Sequence, residues 1–246
     1  MKWRVSEDAA AAARHAAEFI AARLAQAVET RGRASFTISG GSSPWPMFEH
    51  LASQDVDWSA VHVFQVDERI VPIDHTERNW KRFLENPLAH RFPDANRHPM
   101  PVEMEDHELA VGRYTRTLSE YAGAPPALDV VHLGIGEDGH TASLFADDSL
   151  LRDSRHWVGV SRVYQGYRRL TLALPVLNCA QTIVWFAVGA SRRTILTRLH
   201  DGDPEIAASH VRRDRATCFT DEDAAPPAAS VAWQRVSAEG IPQHRE

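Results

Sequence analysis

The sequence predicts an α/β protein: a mostly parallel sheet flanked by helices, in a modified Rossmann-like single domain. Three observations carry that prediction. Short runs rich in β-branched and aromatic residues alternate with stretches of helical spacing, the pattern of βαβ units. The run 182–188 (TIVWFAV) is apolar enough to be covered on both faces, as central parallel strands are. Glycine-bearing turns follow several of the strand-like runs, and ligands of parallel sheets bind at those carboxyl ends.

In order along the chain, Ser6-Glu7-Asp8 opens an alanine-rich helix with Ile20, Leu24 and Val28 on one face, stopped by Gly32. Residues 34–39 (ASFTIS) form a short strand, and Ser43-Pro44 starts a second helix. A strand at 61–66 (VHVFQV) precedes a loop-rich stretch, 73–101, that carries a helical piece near 79–85. Helix 106–121 ends at Gly123-Ala124-Pro125-Pro126. Strands follow at 129–133, 157–160, 169–174 and 182–188, then a helix over 191–199 and a last strand at 217–220. There are no repeats. The expected organisation is one domain over 1–224 and a loosely ordered tail over 225–246, which Val231 and Trp233 could dock.

A chain of 246 residues can bury a sizeable core, and 43% hydrophobic with 24% charged residues is a soluble balance. The net charge of −6 offers no footprint for duplex nucleic acid. A small anion would need a locally basic pocket. That pocket would be built of arginine, because Lys2 and Lys81 are the only lysines. Cys179 and Cys218 form no Cys-x-x-Cys pair and read as reduced thiols of a cytoplasmic protein. Neither a membrane span nor a signal-like segment is present in the sequence.

Three strand ends carry chemistry. Ser39-Gly40-Gly41-Ser42-Ser43-Pro44 lets a backbone approach an anion and opens a helix whose first N–H groups are free. The competing reading is a turn capped by Ser43. Asp67-Glu68-Arg69 ends the strand 61–66: the aspartate can orient a hydroxyl or act as a base, and Arg69 can clamp a phosphate. Taken alone, the tripeptide is slightly better explained as a solvated strand end. The third is GIGEDGHTASLF, 134–145. Gly134 and Gly136 permit a sharp turn, and Gly139 a positive φ beside His140. Histidine titrates near neutrality and can accept a proton, with Glu137 or Asp138 fixing its tautomer. The competing reading is a histidine capping a helix begun by Thr141.

The spacing of Gly134, Gly136 and Gly139 also fits a dinucleotide fingerprint. The acid expected about 20 residues on, at the end of a following strand, is missing, so NAD binding is rejected. No histidine or cysteine spacing supports a metal site.

These motifs together resemble the 6-phosphogluconolactonase family, which is related to the glucosamine-6-phosphate deaminases. The similarity runs from Ser39 to Asp221. GIGEDGHTASLF is close to Gly-x-Gly-x-Asp-Gly-His-Thr-Ala-Ser-Leu-Phe, SGGSSP to Ser-Gly-Gly-Ser-Thr-Pro, and DERIVP to Asp-Glu-Arg-x-Val-Pro. Arg169-Leu170-Thr171-Leu172 matches an arginine-led strand, and Val188-Gly189-Ala190-Ser191-Arg192 a strand-to-helix turn. Arg192 stands where the family often has lysine, Arg78-Asn79 where it has Ser-Asn, Ala146 where proline follows Leu-Phe, and Ala207 where Pro-Ala-Ser begins.

The resemblance implies a fold of the sugar-phosphate isomerase/lactonase type and hydrolysis of 6-phospho-D-glucono-1,5-lactone to 6-phospho-D-gluconate. It implies His140 as general base, with Asp67 or Asp138 orienting the imidazole or the sugar hydroxyls. Gly40, Gly41, Ser42, Arg69 and Arg192 would hold the phosphate, and Arg169 the carboxylate-like end. No metal and no cofactor are implied; the partner is a small phosphorylated sugar lactone, and the protein a monomer or small homo-oligomer. The alternatives are a glucosamine-6-phosphate deaminase, whose further acid is absent from Ala142-Ser143-Leu144-Phe145, and a non-catalytic sugar-phosphate-binding protein.

Overall fold

A computed structural model describes residues 1–227 and the short strand at 234–235. The chain begins with a strand its composition hides. Lys2–Ser6 (β1) buries Trp3 and Val5, but five residues are too short a window to show a period of two. Asp8 caps the helix Ala9–Arg31 (α1), accepting a hydrogen bond from the Ala11 N–H at 2.7 Å. The alanines Ala12 and Ala16, with Ile20 and Leu24, are fully buried, so α1 lies close over the sheet.

Next come Ala34–Ile38 (β2), Trp45–Ala52 (α2), Val61–Gln65 (β3), Asp67–Arg69 (β4), Asn79–Leu84 (α3), Arg97–His98 (β5) and His107–Ala122 (α4). Val130–Leu133 (β6), Val158–Val160 (β7), Arg169–Leu172 (β8), Leu174–Cys179 (α5), Thr182–Phe186 (β9), Arg193–Asp201 (α6), Ala216–Asp221 (β10) and Gln234–Arg235 (β11) complete the described chain.

The main sheet has the order β11-β1-β10-β9-β6-β2-β3-β5, and its pairings are parallel, as the sequence predicts. Its strands alternate between two apolar clusters. Val130 and Val184 face the cluster under α1 and α2, while Val131, Leu133, Ile183 and Trp185 face the other. From β2 the chain winds outward through β3 to β5. It then returns to place β6 on the far side of β2 and continues to β9 and β10. The winding therefore reverses between β2 and β6, and a crevice at such a reversal is where open α/β sheets bind ligands.

Asp67-Glu68-Arg69 is not a solvated strand end. Val66 bridges two sheets: its N–H donates to Ile38 at 2.9 Å and its carbonyl accepts from Leu172 at 2.8 Å. Beyond it the tripeptide is itself β4, in an antiparallel sheet of order β4-β8-β7. Ala224 and Ala225, at the expected boundary between domain and tail, are both buried. β11 then pairs with β1 in parallel. Val231 and Trp233 lie outside the described residues. Among those described, no helix is long and apolar enough to cross a membrane.

Candidate active site

A cleft of about 380 Å³ opens over the carboxyl ends of β2, β3, β6 and β9. Gly40, Gly41, Ser42, Asp67, Arg69, His140, Arg169 and Arg192 all line it. Asp138 stands behind His140 rather than on the wall.

At the switch point the strand ends are tied by a buried histidine. His132, on β6, accepts at Nδ1 from the Ser39 N–H at 3.3 Å and lies 3.1 Å from Ser39 Oγ. Beyond Ser39, the N–H groups of Gly41, Ser42 and Ser43 have no acceptor among the described residues. The loop is nonetheless held, because Trp45 Nε1 donates to the Gly41 carbonyl at 2.6 Å. Ser43 does not cap α2; Pro44 holds that position without a side-chain bond. Free backbone donors on a fixed loop suit an anion.

The three charges of β4 have three fates. Asp67 accepts from the buried Ser143 hydroxyl at 2.5 Å and borders the cleft. Glu68 is fully buried and accepts from the N–H groups of Arg69, Asn79 and Trp80 and from Gln65 Nε2, all within 3.0 Å. Burial pushes its carboxyl up, and these bonds and Arg78, 3.4 Å away, oppose that. Glu68 is thus the clamp for the loop between β4 and α3. Arg69 reaches the cleft, donating to Asn79 Oδ1 at 3.0 Å and the Glu77 carbonyl at 2.9 Å.

Arg69 lies directly opposite Arg169 in the antiparallel register. Like charges so placed repel. The Arg169 guanidinium has no hydrogen-bond partner among the described residues, although the residue is only 5% exposed. Burial lowers its pKa, and Asp67 offsets this in part. Two arginines facing one another in a crevice form a site for an anion.

The turn after β6 is built around His140. The Gly136 N–H donates to the His140 carbonyl at 2.9 Å, and Gly139 adopts φ 82°. No helix starts at Thr141; Thr141 and Leu144 close a tight turn instead, so His140 is not a helix cap. Asp138 Oδ1 accepts from the His140 N–H at 3.1 Å and lies 2.6 Å from Nδ1. Burial works to raise the Asp138 carboxyl, but the His140 charge and hydrogen bonds from His140 and Tyr164 hold it below the usual range. His140 Nε2 has no hydrogen-bond partner among the described residues, and in the neutral tautomer that donates from Nδ1 to Asp138 it is the nitrogen that carries the lone pair.

Arg192 reaches the rim from the turn after β9, 3.6 Å from Glu137. Asp221, at the end of β10, fixes that turn by accepting from the Gly189 N–H at 3.0 Å. Asn79, Tyr164, Ser143 and Asp221 are site-building residues to which the sequence reading gave no role. Asn79 stood beside the Arg78 departure and Ser143 inside GIGEDGHTASLF, whereas Tyr164 and Asp221 carried no local signal.

Fold and site together define a Rossmann-like α/β protein with a histidine–carboxylate pair in an arginine-lined cleft at its sheet reversal. The chain belongs to the glucosamine-6-phosphate isomerase/6-phosphogluconolactonase family, whose sequence profile matches residues 7–220. It is 35% identical to a 6-phosphogluconolactonase of Synechocystis over 193 residues, 76% of this chain and 80% of that one. With a 6-phosphogluconolactonase of Mycobacterium leprae it shares 34% identity over 221 residues, 84% of this chain and 90% of the other. The solved 6-phosphogluconolactonase of Thermotoga maritima superposes with a TM-score of 0.77 at 26% identity, covering 89% of this chain and 99% of that one.

Proposed function

We propose that the protein hydrolyses 6-phospho-D-glucono-1,5-lactone to 6-phospho-D-gluconate, with His140 as general base. The observation that carries the mechanism is the Asp138–His140 pair, which leaves an unpartnered Nε2 in a cleft shared with Arg69, Arg169 and Arg192. Nε2 takes a proton from water as its oxygen bonds to the lactone carbonyl carbon. Charge collects on the carbonyl oxygen. The tetrahedral centre then expels the ring oxygen, which leaves with the proton from Nε2. A base so placed is worth about 10² to 10⁴-fold.

Asp138 holds the imidazole tautomer, and Asp67, fixed by Ser143, orients sugar hydroxyls. The free N–H groups of the Gly41–Ser43 loop, Arg69 and Arg192 receive the phosphate. Arg169 faces the carbonyl end, where its buried charge opposes the developing oxyanion. The reading carries with it the 1–224 domain boundary, a small phosphorylated lactone as partner, a monomer or small homo-oligomer, and a cytoplasmic setting that suits the two free cysteines. Purified protein should open the lactone faster than its spontaneous hydrolysis and leave glucosamine 6-phosphate unchanged. No acceleration of lactone opening would overturn the assignment.

A further inference from the structure

The hairpin between β7 and β8 brings a residue to the catalytic pair that the reaction as derived above does not use. Tyr164 and Tyr167 bond to one another through both backbone N–H groups, at 2.9 and 3.1 Å. The two residues between them, Gln165 and Gly166, have φ of 50° and 84°. Positive φ at both central positions is the tight hairpin turn that matches strand twist, and a non-glycine residue in it is strained. The turn delivers Tyr164 to the cleft wall.

There the ring closes a triangle with His140 and Phe145: centroids are 5.2 Å from Tyr164 to His140, 4.6 Å from Tyr164 to Phe145, and 5.1 Å from His140 to Phe145. The Arg169 guanidinium lies 5.3 Å from the Tyr164 ring centre, and Arg162 caps Phe145 at 4.4 Å. His140 is therefore held at Nδ1 by Asp138 and flanked by two aromatic rings.

We propose that Tyr164 is a positioning residue for the Asp138–His140 pair: its ring, together with that of Phe145, fixes the imidazole plane. The proposal rests on His140 being the base.

The test is kcat and KM for the phosphorylated lactone in wild type, Tyr164→Phe and Tyr164→Ala. The phenylalanine variant keeps the ring triangle, so its kcat and KM should stay within about threefold of wild type. The alanine variant should lose about tenfold or more in kcat, with KM changed less, because the imidazole is no longer confined. A Tyr164→Ala variant with wild-type kcat overturns the proposal, as does a Tyr164→Phe variant as impaired as the alanine one. So does a rise in KM with kcat unchanged in both variants, which would make Tyr164 a substrate contact. An inactive wild type, or a His140→Ala variant that keeps full activity, would instead overturn the underlying assignment.

Discussion

The Asn79 side-chain amide occupies the place where a methyl group on Gly40 would stand. Asn79 is held there by Arg69, which donates to its Oδ1 at 3.0 Å, and by its own Nδ2, which donates to the Asp67 carbonyl at 3.3 Å. Gly40 is thus absent of side chain so that β4 and the anion loop can meet. Gly40→Ala should leave the fold intact, since the amide can swing away, but it uncouples Arg69 from the loop. KM for the phosphorylated lactone should rise about tenfold, the loss expected of one displaced hydrogen bond to a charged group. Steady-state kinetics with a melting curve check this; an unchanged KM would show the contact to be incidental.

Gly136 has the same relation to His140. A methyl group on it would overlap the imidazole at Cε1 and Nδ1, and approach Asp138. Gly136→Ala should therefore mimic loss of the base, lowering kcat about 10² to 10⁴-fold. Asp138→Asn, which keeps the shape but can favour the wrong tautomer, should lower kcat by a similar order with little effect on KM. Circular dichroism and thermal midpoints near wild type would confirm that the loss is local. Full activity in Asp138→Asn would assign the orienting role to another group.

The turn that pairs Asp138 with His140 was legible in the sequence because its parts are contiguous: Asp138, Gly139 and His140 are neighbours in the chain and in space. The parallel sheet was legible for a related reason, since 182–188 is apolar on both faces. What depended on distant pairing was not. β1 is five residues long and shows its partners only when Trp3 and Val5 meet β10. Glu68 reads as a surface charge until four donors converge on it from three segments. Tyr164 has no motif around it, and the hairpin that aims it closes in a second sheet that periodicity does not distinguish from the first. Asp221 ends a predicted strand, but its hold on the Gly189 turn needs the register of β9 and β10.

Arg192 and Arg169 differ in a way that kinetics can separate. Arg192 sits at the rim beside Glu137 at 3.6 Å, on a helix-opening turn. Arg169 lies deep, without a hydrogen-bond partner for its guanidinium among the described residues. Arg192→Ala should raise KM for the phosphorylated lactone about tenfold or more and change hydrolysis of the non-phosphorylated lactone little. Arg169→Ala should lower kcat for both. Equal losses on the two substrates in Arg192→Ala would remove it from the phosphate site.

The histidines inside the fold make the protein acid-sensitive, and the sign follows from their burial. Burial pushes His132 down from 6.5 to about 3. Burial, with the neighbouring His62, pushes His98 down to about 4. Both stay neutral in the fold at pH 5, whereas the unfolded chain protonates them. Their depressed values mean stability that is present above pH 6.5 and lost as pH falls toward the folded values. Glu68, raised by burial, acts in the opposite sense, as its contribution declines with rising pH. For His132 alone the loss between pH 7 and 5 is about 2 kcal/mol. Urea midpoints should therefore fall from pH 7 to pH 5 in wild type. His132→Gln should be weaker at pH 7, having lost the Ser39 contacts at β2, but should lose less on acidification. Equal pH losses in the two proteins would show that His132 is not a source of the acid sensitivity.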